Sequence, residues 1–176
     1  MGFQLEQNIK VAVDAVCFGY DTTGIYLLLI ERKHGNKGIN WAVPGGFVED
    51  NEELDFAAIR ELKEETGITV KQMKQFYTFA GVKRDTRGRI ISIAHYILMN
   101  KKGTNPKGAD DAKTAQWVAI RDIPQLAFDH NEMVEMAYRN LQKSISSLQI
   151  DCMNETPTLE DVKLLGKLLN KEIKSY

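Results

Sequence analysis

Carboxylate side chains are concentrated between Gly46 and Ile68, in the stretch GFVEDNEELDFAAIRELKEETGI. Eight of these residues are acidic and two are basic: Glu49, Asp50, Glu52, Glu53, Asp55, Glu61, Glu64 and Glu65 against Arg60 and Lys63. A solvated helix face would explain this composition. A site for a divalent cation would explain it as well, because hard cations prefer carboxylate oxygens.

The placement of three acids on a helix favours the cation site. Starting from Leu54, an apolar residue recurs every four positions, and this face would point at the core. At about 100° per residue, Glu61, Glu64 and Glu65 share an arc of about 100° beside that face rather than opposite it. Carboxylates gathered there repel one another, and burial raises their pKa unless a cation compensates. The pattern therefore predicts a metal site for phosphate chemistry.

Residues next to these acids fit the same site. Gly45 and Gly46 have no side chain, so the backbone can come close to a metal ion or a phosphate. Arg60 precedes Glu64 by one helical turn and can pair with it, which would fix the carboxylate. Glu52 suits the positive end of the helix dipole, or it bridges back to Arg60.

The order of these residues resembles the Nudix box. Gly46 is followed after five residues by Glu52, and after seven more by RELKEETGI at 60–68, which matches every defined position of the box. The resemblance implies hydrolysis of a nucleoside diphosphate linked to another group, with Mg²⁺ as cofactor or Mn²⁺ in its place.

The same resemblance implies roles for individual residues. Glu61, Glu64 and Glu65 would be metal ligands together with the carbonyl of Gly45. Glu61, Glu64 and Arg60 would belong to the catalytic group. A metal-bound water would attack phosphorus in line, and a carboxylate would accept its proton.

The wider likeness, over about residues 9–145, narrows the expected substrate. The segments FYTFAGVKRDTRGRIISIAHYIL (76–98) and LAFDHNEMVEMA (126–137) resemble a Nudix branch that handles ADP-ribose. That branch contains ADP-ribose pyrophosphatases and Nudix-related transcriptional regulators. It implies cleavage of ADP-ribose to AMP and ribose 5-phosphate. An ADP-ribose sensor without turnover is one alternative, and a hydrolase of oxidised nucleoside triphosphates is another.

Four residues outside the box are candidates for substrate binding. Arg84 and Arg87 lie in a polar turn, and their guanidinium forks suit pyrophosphate oxygens. Tyr77 and Phe79 alternate along one strand and could stack on a base, although core packing would explain them too. In each case a structural role is the alternative.

A further carboxylate is expected in the loop before the strand that contains Trp117. Many Nudix enzymes draw a base or an extra ligand from this region, which makes Asp111 the candidate. A solvated loop acid would explain it equally. The proton acceptor therefore stays open between Glu64 and Asp111.

Composition bounds the class of protein. The 176 residues carry a net charge of −1, so the chain has no excess of basic residues that would favour binding to a nucleic acid. Cys17 and Cys152 are isolated, as expected for free thiols in a reducing compartment. The N-terminal residues lack the pattern of a signal peptide, and no apolar run is long enough to span a bilayer. We therefore expect a cytoplasmic protein with no membrane partner.

The periodicity predicts one central helix, two later helices and several strands. Strands are predicted at 9–18, 25–31, 74–81, 89–98 and 116–120; helices are predicted from Asn51 to Thr66, after Asp129 and after Thr158, with Asp129–Glu132 and Thr158–Asp161 as capping pairs. This order predicts an α/β fold in which a mixed sheet is sandwiched between helices, that is, an α/β/α sandwich.

The C-terminal part is predicted to be separate from the catalytic domain. Residues 1–147 would form the Nudix domain, and 148–176 a connector and a helix. This helix resembles the first helix of the winged-helix domain in the regulators, which implies a remnant of that appendage. Residues 142–176 carry five lysines and five acids, so a DNA partner is not expected. Dimers are common in the ADP-ribose branch, which makes a homodimer an expectation.

Overall fold

A mixed β-sheet with helices on both faces forms the centre of the molecule, as the sequence predicted. The structure, a computed structural model, describes residues 8–36, 38–148 and 150–173. Its elements are β1 (Ile9–Tyr20), β2 (Ile25–Asn36), β3 (Ile39–Ala42), β4 (Gly45–Phe47), α1 (Leu54–Thr66), β5 (Lys74–Phe79), β6 (Arg89–Asn100), β7 (Ala112–Ala119), α2 (His130–Ser146) and α3 (Leu159–Ile173).

The sheet is organised around one long parallel pair. Strands β1 and β6 run side by side from Ile9 opposite Arg89 to Tyr20 opposite Asn100. The strand order is β3-β2-β1-β6-β5, and β4 and β7 add antiparallel pairs to β1 and β2. Parallel strands need a crossover connection, and the segment with α1 supplies it on one face.

Successive side chains of β1 point to opposite faces of the sheet, and this alternation divides the core into two layers. Val13, Ala15 and Cys17 pack with the buried face of α1, and Val16, Phe18 and Tyr20 pack with α2 and α3 on the other face. This period of two is what a strand buried on both faces requires. Because α1 lies flat on the sheet beside β4, its position relative to β1 fixes the acidic stretch in space.

The ends of the helices follow the capping signals only in part. Helix α1 begins at Leu54 rather than after Asn51, and its end at Gly67 was predicted correctly: Gly67 has φ 72° and donates its N–H to the Lys63 carbonyl. The capping pair of α3 is confirmed, because the Thr158 N–H and hydroxyl both donate to Asp161. Strand β2 continues past its predicted end at residue 31 as far as Asn36.

Helix α3 packs onto the same core as α2. Leu165, Leu168 and Leu169 are buried in the layer that contains the α2 core residues. The Tyr20 hydroxyl donates a hydrogen bond of 2.7 Å to Asp161, which ties the start of α3 to β1. None of the helices in the described ranges is long and apolar enough to cross a bilayer.

Candidate active site

A cavity of about 750 Å³ lies where α1, β4, the β5–β6 loop and the start of α2 meet. Its volume is in the range of small-molecule sites in proteins. One wall is acidic and comes from α1. The facing wall carries arginine and aromatic side chains from β2, β4 and two loops.

The acidic wall has the arrangement that the helical wheel predicted. Leu62 is fully buried against the sheet, while Glu61 and Glu65 are buried at the edge of this contact, with 8% and 4% of their surface exposed. Glu64 is more exposed, with 45% of its side chain accessible. All three carboxylates line the cavity, so the structure brings the predicted ligands together.

Arg60 orients the carboxylates of this wall. Its Nη1 donates to Glu61 Oε1 at 2.8 Å and to Glu64 Oε2 at 2.9 Å. Its Nε and Nη2 hold Glu52 at 2.7 and 2.8 Å, and Nη2 also donates to the Phe47 carbonyl at 3.1 Å. Both predicted partners of Arg60 are confirmed, and Glu61 is an additional one.

The two glycines of β4 are required by close packing. A side-chain carbon at Gly46 would overlap the carboxylate of Glu61, and one at Gly45 would overlap the Val13 carbonyl. The Gly45 N–H donates to Glu65 Oε2 at 2.9 Å. Strand β4 therefore lies directly against the acidic helix; a side chain at Gly45 would meet backbone, and one at Gly46 would displace the Glu61 carboxylate.

Burial shifts the pKa of two carboxyl groups in this wall. Desolvation raises the pKa of Glu65 to about 8, although its hydrogen bond from Gly45 lowers it, and Glu61, Asp111 and Asp110 raise it further. Desolvation also raises the pKa of Glu61, against the opposing effect of Arg60. A nearby positive charge would favour the ionised form of both groups.

The donor set of this wall fits a hard divalent cation. In the described part of the chain, no three Asp, Glu, His or Cys side chains form a ready-made metal cage. Arg60 bridges Glu61 and Glu64 instead. The oxygens are nonetheless of the type that Mg²⁺ and Mn²⁺ prefer, and a bound cation would offset the burial that raises the pKa of Glu65.

The facing wall contains an alternation of aromatic rings and guanidinium groups. The guanidinium of Arg32 lies 4.7 Å from the ring centre of Phe128, and that of Arg87 lies 5.2 Å from the same centre. The guanidinium of Arg87 also lies 5.5 Å from the ring centre of Phe47. All four residues line the cavity, and such distances are typical of cation–π contacts.

Arg84 also reaches the cavity wall, but buried partners surround it. Its guanidinium forms two hydrogen bonds with Asp129, of 2.8 and 2.6 Å, and lies 3.5 Å from Asp14. Burial would lower the pKa of Arg84, but these carboxylates raise it overall. The predicted capping role of Asp129 is wrong, because its carboxylate binds Arg84 and caps no helix N–H.

His130 completes this buried cluster. Its Nδ1 accepts the Val43 N–H at 3.2 Å, and its Nε2 lies 3.4 Å from Asp14. Asp14 also accepts a hydrogen bond of 2.5 Å from Ser92. Burial lowers the pKa of His130, so the imidazole is favoured in its neutral form.

The remaining predicted residues divide between cavity and core. Asp111 and its neighbour Asp110 are exposed at the edge of the cavity. Tyr77 and Phe79 do not line it: they lie on the edge strand β5, where Phe79 is buried in the core and Tyr77 packs its ring 5.0 Å from that of Phe79. The geometry therefore gives no support to base stacking by these two residues.

Sequence reasoning missed three residues of the site. Arg32 follows the apolar run of β2, and a charged residue in a strand that is otherwise buried was the available signal. Asp14 gave a similar signal inside β1. Phe128 gave none, because its position depends on the fold of the loop before α2.

Comparison with protein families and curated proteins yields consistent matches. A family model described as the NUDIX domain matches residues 9–137. The ADP-ribose pyrophosphatase of Methanocaldococcus jannaschii is 38% identical over 116 residues, which are 65% of this chain and 68% of that protein. The ADPR responsive transcriptional repressor NtrR of Acinetobacter baylyi is 30% identical over 173 residues, which are 92% of this chain and 69% of the repressor. The chain thus spans about two thirds of each relative.

Solved structures give the same fold. The NUDIX domain of Shewanella oneidensis NrtR complexed with ADP ribose is 26% identical with a TM-score of 0.71, covering 80% of this chain and 94% of that one. A bifunctional NMN adenylyltransferase/ADP ribose pyrophosphatase from Francisella tularensis, complexed with AMP and a Mn ion, is 29% identical with a TM-score of 0.67, covering 77% of this chain and 43% of that one.

Proposed function

The chain belongs to the NUDIX family, and from this premise we propose that it is a metal-dependent pyrophosphohydrolase that cleaves ADP-ribose to AMP and ribose 5-phosphate. The observation that carries the proposal is the convergence of Glu61, Glu64 and Glu65 on one wall of a cavity with arginines on the facing wall. An acidic wall for cations opposite a basic wall for anions suits a diphosphate. The similarity to an ADP-ribose pyrophosphatase favours this substrate.

Members of the family typically use a divalent metal ion, and a similar structure contains Mn. Glu61, Glu64, Glu65 and the Gly45 carbonyl would hold Mg²⁺ or Mn²⁺ in this chain. Such an ion supplies charge neutralisation at the phosphates and a lowered pKa for a bound water.

The chain's own residues prepare the site for this chemistry. Arg60 fixes Glu61 and Glu64, so their carboxylates do not have to be ordered when the substrate binds. Glu64, the most exposed of the three, or Asp111 would accept the proton of the attacking water.

A substrate panel with Mg²⁺ tests this function. We expect AMP and ribose 5-phosphate from ADP-ribose, and slower turnover of NADH, diadenosine polyphosphates and oxidised nucleoside triphosphates. Glu64→Gln should keep the fold, since its amide oxygen can still accept from Arg60, and should lower kcat by several powers of ten. Glu155→Gln is the matched control, because Glu155 is an exposed residue outside the cavity. Full activity of Glu64→Gln, or a preference for oxidised triphosphates, would contradict the proposal.

The similarity to the repressor over 92% of this chain favours one second candidate, an ADP-ribose sensor without turnover. Such a protein would bind ADP-ribose with Mg²⁺ and release it unchanged. A gel-shift assay with promoter DNA, run with and without ADP-ribose, separates the two candidates. We expect no shift, because residues 142–176 have no excess of basic side chains.

A further inference from the structure

His130 is a buried side chain at the start of α2 that is not part of the proposed metal site. Its Nδ1 accepts the Val43 N–H at 3.2 Å, although the two residues are 87 positions apart in sequence. A ring nitrogen that accepts a hydrogen bond carries no proton, so the proton of this imidazole lies on Nε2. Nε2 lies 3.4 Å from Asp14 Oδ1, which is an acceptor. A single neutral tautomer therefore suits both contacts.

The carboxylate that faces the imidazole is itself fixed. Asp14 Oδ2 accepts a hydrogen bond of 2.5 Å from the Ser92 hydroxyl and lies 3.5 Å from the guanidinium of Arg84. Asp129 holds the same guanidinium through two hydrogen bonds. These partners come from β1, β6, the β5–β6 loop and the residue before α2. The orientation of the His130 ring is thus set by contacts with several distant parts of the chain.

The residue that the imidazole holds begins the short connection between β3 and β4. Val43 is followed by Pro44, whose carbonyl accepts the Ala15 N–H at 2.8 Å and whose nitrogen has no hydrogen to donate. Gly45 comes next, and its N–H donates to Glu65 Oε2 at 2.9 Å. Three successive residues are therefore each held by one hydrogen bond, and the first of these bonds depends on the imidazole.

Gly45 also packs directly against the cluster around His130. It lies opposite Asp14 in the antiparallel pair of β1 and β4. A side-chain carbon at Gly45 would come within 2.7 Å of Asp14 Oδ1. In so close a contact, a shift of the connection at Val43 would move the Gly45 backbone relative to Glu65.

We infer that His130 is a positioning residue that acts through the Val43 N–H to hold Gly45 beside Glu65. The inference rests on the proposed function, since Gly45 and Glu65 matter to the chemistry only if they bind a divalent ion there. The role requires no contact between His130 and the ion. Groups that orient metal ligands typically change metal affinity by about 10–100-fold.

Manganese binding without substrate tests the inference, with free Mn²⁺ measured by electron paramagnetic resonance. His130→Leu removes the acceptor for Val43, whereas the amide oxygen of His130→Gln can still accept from it. We expect His130→Leu to bind Mn²⁺ about 10–100-fold more weakly than the parent protein, and His130→Gln to bind within a few-fold of it. The inference is overturned if His130→Leu binds Mn²⁺ like the parent protein, or if the two variants lose affinity equally.

Tyr20→Phe is the control for a general loss of stability. It removes the 2.7 Å hydrogen bond to Asp161, at the far end of β1 and outside the cavity. All proteins are titrated at a temperature at which circular dichroism shows them to be folded. Tyr20→Phe should lower Tm and leave the Mn²⁺ affinity unchanged. If it weakens Mn²⁺ binding as much as His130→Leu does, lost stability explains both results and the positioning role is rejected.

Nuclear magnetic resonance of the parent protein gives a test that does not depend on how His130→Leu folds. Long-range ¹⁵N–¹H correlations of the His130 ring at neutral pH report which nitrogen carries the proton. We expect one proton, on Nε2, because Nδ1 accepts from Val43. A proton on Nδ1 would be incompatible with this hydrogen bond and would overturn the inference.

Kinetics distinguish failure of this inference from failure of the proposed function. If ADP-ribose is hydrolysed, His130→Leu should need about 10–100-fold more Mg²⁺ for half-maximal activity, and His130→Gln should stay close to the parent protein. Hydrolysis with the same Mg²⁺ dependence in His130→Leu would overturn the inference and leave the hydrolase intact. If the parent protein binds Mn²⁺ but does not hydrolyse ADP-ribose, the proposed function fails, and the Mn²⁺ titrations still decide the role of His130.

Discussion

The two walls of the cavity are built in different ways. The acidic wall comes from a single segment, 45–65, in which one helix and the strand before it place every carboxylate and the arginine that orients them. The basic wall is assembled from β1, β2, Phe47 at the end of β4, the β5–β6 loop and the start of α2, most of which are far apart in sequence. A local wall depends on short-range geometry, whereas an assembled wall depends on buried contacts between segments. Substitutions in the two walls should therefore fail in different ways.

The largest effect is expected at Arg84, which connects the segments of the basic wall. Arg84→Met would leave Asp129 and Asp14 without their buried cation. Breaking such a pair costs about 3–5 kcal/mol, so the free energy of unfolding should fall by about that amount in urea titrations. Arg32→Met in the same wall should cost far less, because Arg32 has no ion pair to lose. Equal losses in the two variants would mean that the wall does not depend on Arg84.

The acidic wall should lose activity rather than stability when its packing is disturbed. In Gly46→Ala, the new methyl group would displace the Glu61 carboxylate. A displacement of about 1 Å at a reacting site can cost about a hundredfold, so kcat/KM should fall by at least that factor.

Gly166→Ala is the control for Gly46→Ala. Gly166 lies in α3 with open space around it, so alanine should leave activity unchanged and add about 0.5–1 kcal/mol of stability. If Gly46→Ala keeps full kcat/KM, the close contact between β4 and Glu61 has no role in the chemistry.

The same difference explains how much could be predicted from sequence. The position of Glu61, Glu64 and Glu65 on the acidic wall was predicted from sequence, because helical periodicity places these residues beside an apolar face. The strands and the sandwich followed from alternation and capping. For the basic wall, the sequence indicated that arginines would matter, but not that Arg84 would be neutralised within the fold and that Arg32 would not.

The reasons for the misses are physical. Asp129 precedes a helix and has the form of a capping residue, but a buried arginine from a distant loop is a stronger partner for its carboxylate. Tyr77 and Phe79 have the right chemistry for stacking, yet β5 is the outer strand next to β6, away from the cavity. Neither outcome is encoded in local sequence patterns.

A smaller effect is expected at Arg60, which supports the acidic wall without a predicted metal bond of its own. Arg60→Lys keeps the charge but cannot hold Glu52, Glu61 and Glu64 together through one planar fork. Groups that orient metal ligands typically affect metal affinity by 10–100-fold, and we expect about tenfold more Mg²⁺ for half-maximal activity. The measurement is the Mg²⁺ dependence of initial rates. A tighter response to Mg²⁺ would instead mean that Arg60 competes with the ion.

The last effect is a pH dependence of the free energy of unfolding whose sign differs between the walls. The folded pKa of Glu65 is about 8, above its ordinary value of 4.5. Between these values the folded protein binds more protons than the unfolded chain, so this contribution to stability is lost as pH rises through about 8. His130 behaves oppositely: burial lowers its pKa below 6.5, so its contribution is complete above that value and is lost as pH falls.

Thermal unfolding in EDTA between about pH 5 and pH 8 separates the contributions of Glu65 and His130 to stability. For one proton, each contribution changes the free energy of unfolding by at most about 1.4 kcal/mol per pH unit. Glu65→Gln should remove the loss of stability that runs from about pH 5 to pH 8, and its amide oxygen can still accept from Gly45. His130→Gln should flatten the decline on the acid side only, because its amide oxygen can accept from Val43. If both variants follow the parent curve in parallel, neither group changes its proton binding on folding. Opposite slopes would show that burial favours the neutral form of each group, which binds a proton on Glu65 and releases one from His130.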